Sequence, residues 1–392
     1  MPKRSQSEKM DDSIRIGFDA KRVFHNRTGL GNYSRNLLSG LTTLYPQNEY
    51  YLYTPRPPAS GTSDFFTPGA NIQIKTPRKY YHKKFSALWR SVYLKEFLEQ
   101  DEIQVYHGLS HELPFRRKPE IIKTVVTIHD LIFLKYPELY PMIDRAIYEW
   151  KVKNACKIAD KIIAISEQTK QDIMEYYHVP EEKIAVIYQN CDEAFGKPLP
   201  KKELDRVMEK YDLPKNYFLY VGSITERKNV LKLVRAFDYL KKYSDMDMVL
   251  VGSGGNHKEQ VEQYIKQNNL TKRVKMYHEV PDEDLPALYR QALVFVYPSI
   301  YEGFGIPIIE ALYSKVPVIT TMNGCFPEAA GPGAVYVNPE SANDIAQAME
   351  NFLLNPNLRT KLATAGYKYV QKFTAKSFAE QTMQVYREVL GK

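Results

Sequence analysis

The sequence predicts an α/β protein made of two facing Rossmann-like domains with a cleft between them. Three observations predict it. Short apolar runs alternate with stretches of helical spacing, the pattern of mostly parallel sheets covered on both faces. A charged, proline-bearing stretch at residues 196–203 interrupts that alternation near the middle. A length of 392 residues also exceeds the usual size of one domain. The first domain is expected over residues 13–195 and the second over 196–374. The ligand cleft is expected at the carboxyl ends of the strands.

In chain order, residues 14–18 read as a first strand, followed by a loop containing Thr28-Gly29-Leu30-Gly31. A helix follows at about residues 32–41, where Tyr33, Leu37, Leu38 and Leu41 recur at helical spacing. Strands are expected at 104–107, 123–128 and 161–165. Ser166 with Glu167 then opens a helix running to about Tyr177. In the second half, strands are expected at 217–221, 248–251, 274–277, 293–297, 316–319 and 334–337. The last helix, at about 377–390, is amphipathic.

Composition narrows the class. Apolar residues at 44% and charged residues at 26% describe an ordinary globular protein. No apolar run approaches the roughly 18 residues that span a bilayer. Residues 1–8 are charged with no apolar core behind them, and so read as a disordered leader rather than a signal peptide. Cys156, Cys191 and Cys325 are too few and too scattered for a disulfide framework or a thiolate metal cluster, and fit a reducing cytosol. The net charge of +8 concentrates between Lys75 and Lys95, where Arg78, Lys79, Lys83, Lys84 and Arg90 also occur and no acid does. Tyr80, Tyr81, Phe85, Trp89 and Tyr93 are interleaved with them, and Phe115-Arg116-Arg117-Lys118 forms a second patch. Such stretches suit an anionic membrane surface, nucleic acid, or a plain solvated basic face with its rings turned inward.

The most informative segment is Ser299-Ile300-Tyr301-Glu302-Gly303-Phe304-Gly305-Ile306-Pro307-Ile308-Ile309-Glu310, between an apolar strand and a helix. Pro307 suits the first helical position, which puts Glu310 in the first turn and Glu302 on the loop before it. Gly303 and Gly305 let the backbone approach a ligand, and bare helix amides suit phosphate. The two carboxylates suit sugar hydroxyls. Arg227 and Lys228, in Ser223-Ile224-Thr225-Glu226-Arg227-Lys228-Asn229, stand where a helix dipole disfavours cations by about 0.3–1 kcal/mol unless an anion is bound. His129 and Asp130 follow a buried strand, as cleft residues would, and His107 is a weaker candidate. Gly29 and Gly31 lack the third glycine and the acidic ribose ligand of a dinucleotide fingerprint. Gly252-Ser253-Gly254-Gly255 reads as a turn. Asp282-Glu283-Asp284 reads as the start of a helix rather than a metal-binding Asp-x-Asp pair.

Glu-x7-Glu around Gly-Phe-Gly-x-Pro resembles the signature of retaining nucleotide-sugar glycosyltransferases of the GT-B fold, family 4. The resemblance runs from Ile14 onward: glycine loop, His-Asp-Leu, Arg-Lys-Asn, then Glu-x7-Glu. It implies that the helix at 375–392 returns to the first domain. It implies that Glu310 binds ribose and Glu302 the transferred sugar. Amides of Gly303, Phe304, Gly305 and Ile306 would hold phosphate and sugar oxygens, and Gly29 and Gly31 would approach the donor. His129, with Asp130, would reach the transferred sugar, while Arg227 and Lys228 would stabilise the departing diphosphate. Ser223 departs from members with another arginine there, and Glu279 stands at a usual glycine of the base-contacting loop. The start Phe18-Asp19-Ala20-Lys21-Arg22 resembles the mannosyltransferase branch, which makes GDP-mannose the favoured donor over a UDP-sugar. No cofactor or metal is implied beyond the nucleotide-sugar co-substrate. The acceptor is expected to be a glycan, lipid-linked, with peripheral contact to an anionic membrane through 75–95 and no nucleic-acid partner. The location is then cytoplasmic, at the inner face of the membrane. The alternatives are another GT-B protein, an epimerase or a phosphorylase needing pyridoxal phosphate, or a non-catalytic basic scaffold or nucleic-acid binder.

Overall fold

The computed structural model describes residues 13–26, 28–58, 71–77, 85, 88–114, 121–243 and 245–392. The chain forms two compact units, one of residues up to Asn190 together with Phe373–Lys392, the other of Cys191–Lys372.

The first unit holds a seven-stranded sheet in the order β3-β2-β1-β4-β5-β6-β7. Its strands are β1 (Arg15–Asp19), β2 (Glu49–Tyr53), β3 (Asn71–Lys75), β4 (Val105–Gly108), β5 (Lys123–Ile128), β6 (Lys161–Ala164) and β7 (Ile184–Val186). All neighbours pair in parallel. One apolar cluster joins Val126, Ile128 and Ile162 of the sheet to Trp89, Leu94, Val152 and Ile173. Burying a side chain of this kind contributes about 1.5–3 kcal/mol. The Gly29–Leu44 helix carries Tyr33, Leu37, Leu38 and Leu41 on its buried side. The Ala375–Leu390 helix packs against it, with the Phe378 ring 5.1 Å from that of Tyr33 and Ala379 close to Gly40. A buried hydrogen-bond chain fixes the arrangement: Tyr33 hydroxyl to Thr127 Oγ1 (3.0 Å), Thr127 Oγ1 to His107 Nε2 (2.8 Å), and His107 Nδ1 to Tyr386 hydroxyl (2.6 Å).

The second unit holds a six-stranded parallel sheet in the order β10-β9-β8-β11-β12-β13. Its strands are β8 (Tyr217–Val221), β9 (Asp247–Val251), β10 (Val274–Tyr277), β11 (Val294–Tyr297), β12 (Val318–Thr321) and β13 (Ala334–Val337). Every residue of β11 and β12 is buried, as expected of central strands covered on both faces. In each sheet the strand order reverses once, between β1 and β4 and between β8 and β11. Ligands of open α/β sheets bind outside the carboxyl ends at such a reversal.

Several expectations need correction. β12 starts two residues later than expected. Lys315 (φ +61°) and Val316 donate back to Leu312 and Ala311, finishing the preceding helix before strand pairing can begin. The stretch containing Gly29 and Gly31 is no loop but the first turn of the Gly29–Leu44 helix. The Asn26 side chain anchors that turn by accepting from the amides of Thr28 (2.9 Å) and Gly31 (3.1 Å). Pro307 is the second helical residue and Glu310 the fifth, one residue further along than expected and just past the first turn, because Gly305 (φ +107°) precedes a helix that begins at Ile306. Strands β2, β3 and β7 were not foreseen.

The expected basic face also changes. Lys75 pairs with Asp101 at 2.6 Å, Lys95 lies 3.6 Å from Glu99, and Arg90 is held between Asp19 and Glu112 while Trp89 is fully buried. The described cations of the stretch are therefore ion-paired. Arg78, Lys79, Tyr80, Tyr81, Lys83 and Lys84, and the patch at 115–118, lie outside the described residues.

Asp284 precedes the Leu285–Gln291 helix, fully buried, and binds Arg206, Lys210 (2.6 Å) and the Tyr211 hydroxyl (2.7 Å). It is a packing residue, consistent with its reading as a helix start. Burial raises its pKa, but these three donors outweigh that and hold it at about 2. A depressed carboxylate pKa gives stability that is present above the ordinary value and lost as pH falls through the folded one. We therefore expect Asp284→Ala to cost about 2–3 kcal/mol near neutrality, measured by urea unfolding, with the difference from wild type shrinking below about pH 4.

Candidate functional site

Two loops meet at the reversal of the second sheet. The loop after β8 ends in a tight turn, Glu226–Lys228, followed by Asn229 in the left-handed region (φ +62°). The buried Asn229 side chain donates to the carbonyls of Pro298 (3.2 Å) and Pro339 (2.7 Å). The Ile300 amide donates to the Arg227 carbonyl at 2.9 Å, and Ser299 Oγ reaches the same carbonyl at 3.2 Å. Backbone and side chains thus stitch the two loops together before any ligand arrives.

Glu302 stands at their centre. Its Oε1 lies 2.8 Å from Arg227 Nη1, pairs with Lys228 Nζ, and accepts from Ser299 Oγ at 2.7 Å and the Tyr297 hydroxyl at 3.3 Å. Its second oxygen takes part in none of these contacts. Arg227 also donates to the Tyr301 carbonyl, and Lys228 Nζ lies 4.9 Å from the centre of the Tyr297 ring. Burial pushes the Glu302 carboxyl up, but Lys228 and Arg227 more than offset that and hold it below the ordinary range. Burial likewise pulls the Lys228 ammonium down, with Glu302 opposing and Arg227 reinforcing the shift. Lys228 is itself buried.

The joint after Glu302 is buried at Gly303, Phe304 and Gly305, while Ile306 is half-buried. Cys325 Sγ lies 3.2 Å from the Glu302 carbonyl and 3.0 Å from the Phe304 carbonyl, which fixes the path of the loop. The helix starts at Ile306; Pro307 has no amide hydrogen, and the Ile308 amide donates to the Gly305 carbonyl at 3.0 Å. Glu310, on the same helix, accepts from the Tyr289 hydroxyl at 2.8 Å. Burial, with Asp282 and Asp192 adding to it, pushes its carboxyl up to about 7.

In the first unit, His129 follows β5. Its Nε2–H donates to the Leu109 carbonyl at 2.9 Å and its ring meets the edge of Tyr33 at 4.6 Å. Burial and the neighbouring His111 lower its pKa to about 3, so it is neutral with its tautomer fixed. Asp130 Oδ1 accepts from the Ile132 amide at 3.1 Å. His107 is buried in the chain described above and serves the core. Gly31 has no room for a side chain, since a Cβ there would lie 1.9 Å from the Asn26 carbonyl oxygen, whereas Gly29 faces open space.

Sequence reasoning missed several groups. At the reversal of the first sheet, Arg90 bridges Asp19 at the end of β1 and Glu112 beyond β4, and Lys151 Nζ reaches Glu112 at 3.0 Å. His111 adopts φ +62°, and its Nδ1 is buried without a hydrogen-bond partner among the described residues. Its ring lies 5.3 Å from that of His129. Tyr297, Ser299, Tyr289 and Cys325 had no signal beyond lying near the motif. Among the described residues, no group of three or more His, Cys, Asp or Glu is placed to hold a metal ion.

Two parallel sheets in series, with a charged carboxylate cluster at the reversal of the second, fit the GT-B glycosyltransferase that the motifs resemble. Residues 27–194 match the family described as Glycosyltransferase Family 4, and residues 201–369 match Glycosyl transferases group 1. The O-antigen chain mannosyltransferase B of Escherichia coli is 30% identical over 287 residues, covering 72% of this chain and 74% of that protein. The O-antigen chain mannosyltransferase RfbU of Salmonella typhimurium is 31% identical over 242 residues, 62% of each. The chain belongs to the family 4 glycosyltransferases. The fold is also that of a glycosyltransferase from Rickettsia africae (TM-score 0.74, 20% identity, 97% of this chain and 99% of that one). Anabaena HepE in complex with UDP-glucose is similar as well (TM-score 0.73, 16% identity, 96% of this chain and 100% of that one).

A raised carboxylate pKa stabilises the fold fully below the ordinary value, and that contribution is lost as pH rises through the folded value near 7. Glutamine at position 310 would keep an acceptor for Tyr289 and carry no charge. We expect Glu310→Gln to melt about 2–4 °C above wild type at pH 8, with the difference closing towards pH 5 in ligand-free scans.

Proposed function

We propose that the chain is a retaining, metal-independent mannosyltransferase that moves a mannosyl group from GDP-mannose to a lipid-linked glycan acceptor. The observation that carries this reading is the buried Glu302 carboxylate paired with Arg227 and Lys228 at the reversal of the second sheet. The mannosyl assignment rests on the two O-antigen mannosyltransferase relatives.

In this reading the donor diphosphate takes hydrogen bonds from Arg227, Lys228 and the backbone amides of Gly303, Phe304, Gly305 and Ile306. Two fixed cations stabilise the charge that develops as the sugar–phosphate bond breaks, the role a metal plays in other transferases. Glu302 keeps Lys228 charged despite its burial and offers its second oxygen to a sugar hydroxyl. Glu310 takes the ribose hydroxyls. Gly29, which faces open space, lets backbone approach the donor. His129, neutral and with Nε2 engaged, presents Nδ1 as an acceptor for a sugar hydroxyl, with Asp130 beside it. The acceptor oxygen bonds to the anomeric carbon on the face the diphosphate leaves, and its proton passes to the departing phosphate oxygen. Retention follows from that same-face geometry. Three buried free cysteines fit a reducing compartment, so we place the protein in the cytoplasm, at the inner face of the membrane.

The test is a thermal-shift panel of GDP, UDP, ADP and their sugars with EDTA present. GDP and GDP-mannose should raise the melting temperature selectively and without metal. Selective stabilisation by UDP, or stabilisation that EDTA abolishes, would overturn the donor or the metal-independent reading respectively.

A further inference from the structure

Among the described residues, the reversal of the first sheet holds more positive charge than its carboxylates neutralise. Arg90 lies between Asp19 and Glu112, and Lys151 reaches Glu112 at 3.0 Å. The short helix that follows β1, Lys21–His25, adds Lys21 and Arg22. Neither of these side chains makes an ion pair or hydrogen bond among the described residues. Lys21 is exposed, whereas Arg22 is half-buried, and its charge is felt at both His111 and His129. The carboxylates nearby are committed elsewhere, Asp19 and Glu112 to Arg90 and Lys151, and Asp130 to the Ile132 amide. A guanidinium partly withdrawn from water and lacking a counter-charge is a ready site for an anion.

His111 gives an independent sign that something binds there. After β4 the chain turns so tightly that a Cβ on Gly108 would lie 2.1 Å from the Glu112 carbonyl oxygen. Within that turn His111 takes the left-handed conformation (φ +62°), and its amide donates to the Thr127 carbonyl at 2.9 Å. The turn sets the imidazole 5.3 Å from the His129 ring. Burial, with Arg22 adding to it, lowers its pKa to about 4, so the ring is neutral. Its Nδ1 is buried without a hydrogen-bond partner among the described residues. Buried ring nitrogens are ordinarily hydrogen-bonded, and left-handed backbone outside glycine gathers at binding sites.

We propose that this opening binds a phosphate of the acceptor, with Arg22 pairing with its oxygens and His111 hydrogen-bonding the phosphate or the sugar hydroxyl beside it. The planar guanidinium fork matches phosphate geometry, which a lone ammonium does not. The two neutral imidazoles add polar contacts without supplying a competing anion. The inference rests on the reading of the chain as a transferase to a lipid-linked glycan, and it narrows that reading. His129 is assigned there to the transferred sugar, and Arg22 acts on both His129 and His111. The phosphate must therefore lie close to the hydroxyl that attacks. A long glycan would carry its lipid phosphate far from that hydroxyl, so the substrate is a short saccharide on a lipid phosphate or diphosphate. The reaction then belongs near the start of chain growth, after the step that makes the sugar–phosphate link.

The experiment titrates the full chain calorimetrically with mannose 1-phosphate, methyl α-mannoside and inorganic phosphate, with saturating GDP present to occupy the second unit. Mannose 1-phosphate should bind about tenfold or more tighter than methyl α-mannoside. Arg22→Gln should reduce that preference to within about twofold, and Arg22→Lys should restore only part of it. His111→Asn, which accepts the left-handed backbone, should weaken mannose 1-phosphate by about threefold or more. Arg22→Gln and His111→Asn should keep the wild-type melting temperature and GDP affinity. Equal affinity for mannose 1-phosphate and methyl α-mannoside, or a preference that survives Arg22→Gln, would overturn the inference. Inorganic phosphate binding as tightly as mannose 1-phosphate would overturn the acceptor assignment, and loss of GDP affinity in Arg22→Gln would move Arg22 to the donor. Failure of the donor reading shows separately, as a flat response to GDP and GDP-mannose while the Arg22-dependent preference persists.

Discussion

A carboxylate taken out of water has to be neutralised, and at Glu302 that requirement shapes two loops at once. Leaving the charge unpaired in that environment would cost several kcal/mol, so Arg227 and Lys228 must stand within ion-pair range before any ligand arrives. Lys228 is buried and would tend to lose its proton without Glu302 beside it. Each partner thus keeps the other ionised. Most of the second unit's local architecture serves this arrangement. Asn229 in its left-handed conformation ties the first loop down, Ser299 and Ile300 stitch the loops through the Arg227 carbonyl, and Cys325 anchors the chain beyond Glu302.

The two units meet the same topological constraint in parallel ways. Each sheet reverses its strand order once, and each reversal carries a cation–carboxylate cluster spanning the two strands that flank it. In the second unit Arg227 and Lys228, after β8, meet Glu302, after β11. In the first, Arg90 meets Asp19 at the end of β1 and Glu112 beyond β4. Parallel strands leave their carboxyl ends open there, and polar groups gathered at that opening are the ones a substrate can reach. The remaining polar groups near it, such as His107, are absorbed into buried hydrogen-bond chains that hold the core.

Much of this was legible in the sequence because periodicity and motif agreed. The central strands are short apolar runs, and the joint at 299–312 has glycine, proline and carboxylates at fixed spacing. Edge strands were not legible: β3 is half exposed, β7 has three residues, and their alternation is too short to rise above background. The glycine stretch at Gly29 and Gly31 misled because glycine's low helix propensity points to a loop, while Asn26 supplies the cap that lets a helix begin there. The charged residues of the Glu302 cluster were identified, but not their mutual pairing, since sequence shows which charges exist and not which ones burial forces together. Basic residues such as Lys75 and Arg90 looked unopposed for the same reason, because their acids lie elsewhere in the chain.

The central claim is that Glu302 and Lys228 are maintained as one ionised unit. A double-mutant cycle of Glu302→Gln and Lys228→Met, read as unfolding free energy in urea, tests it most directly. The account predicts that each single substitution is strongly destabilising, that the double recovers much of the loss, and that the coupling exceeds about 1.5 kcal/mol. Losses that add to within about 0.5 kcal/mol would contradict it.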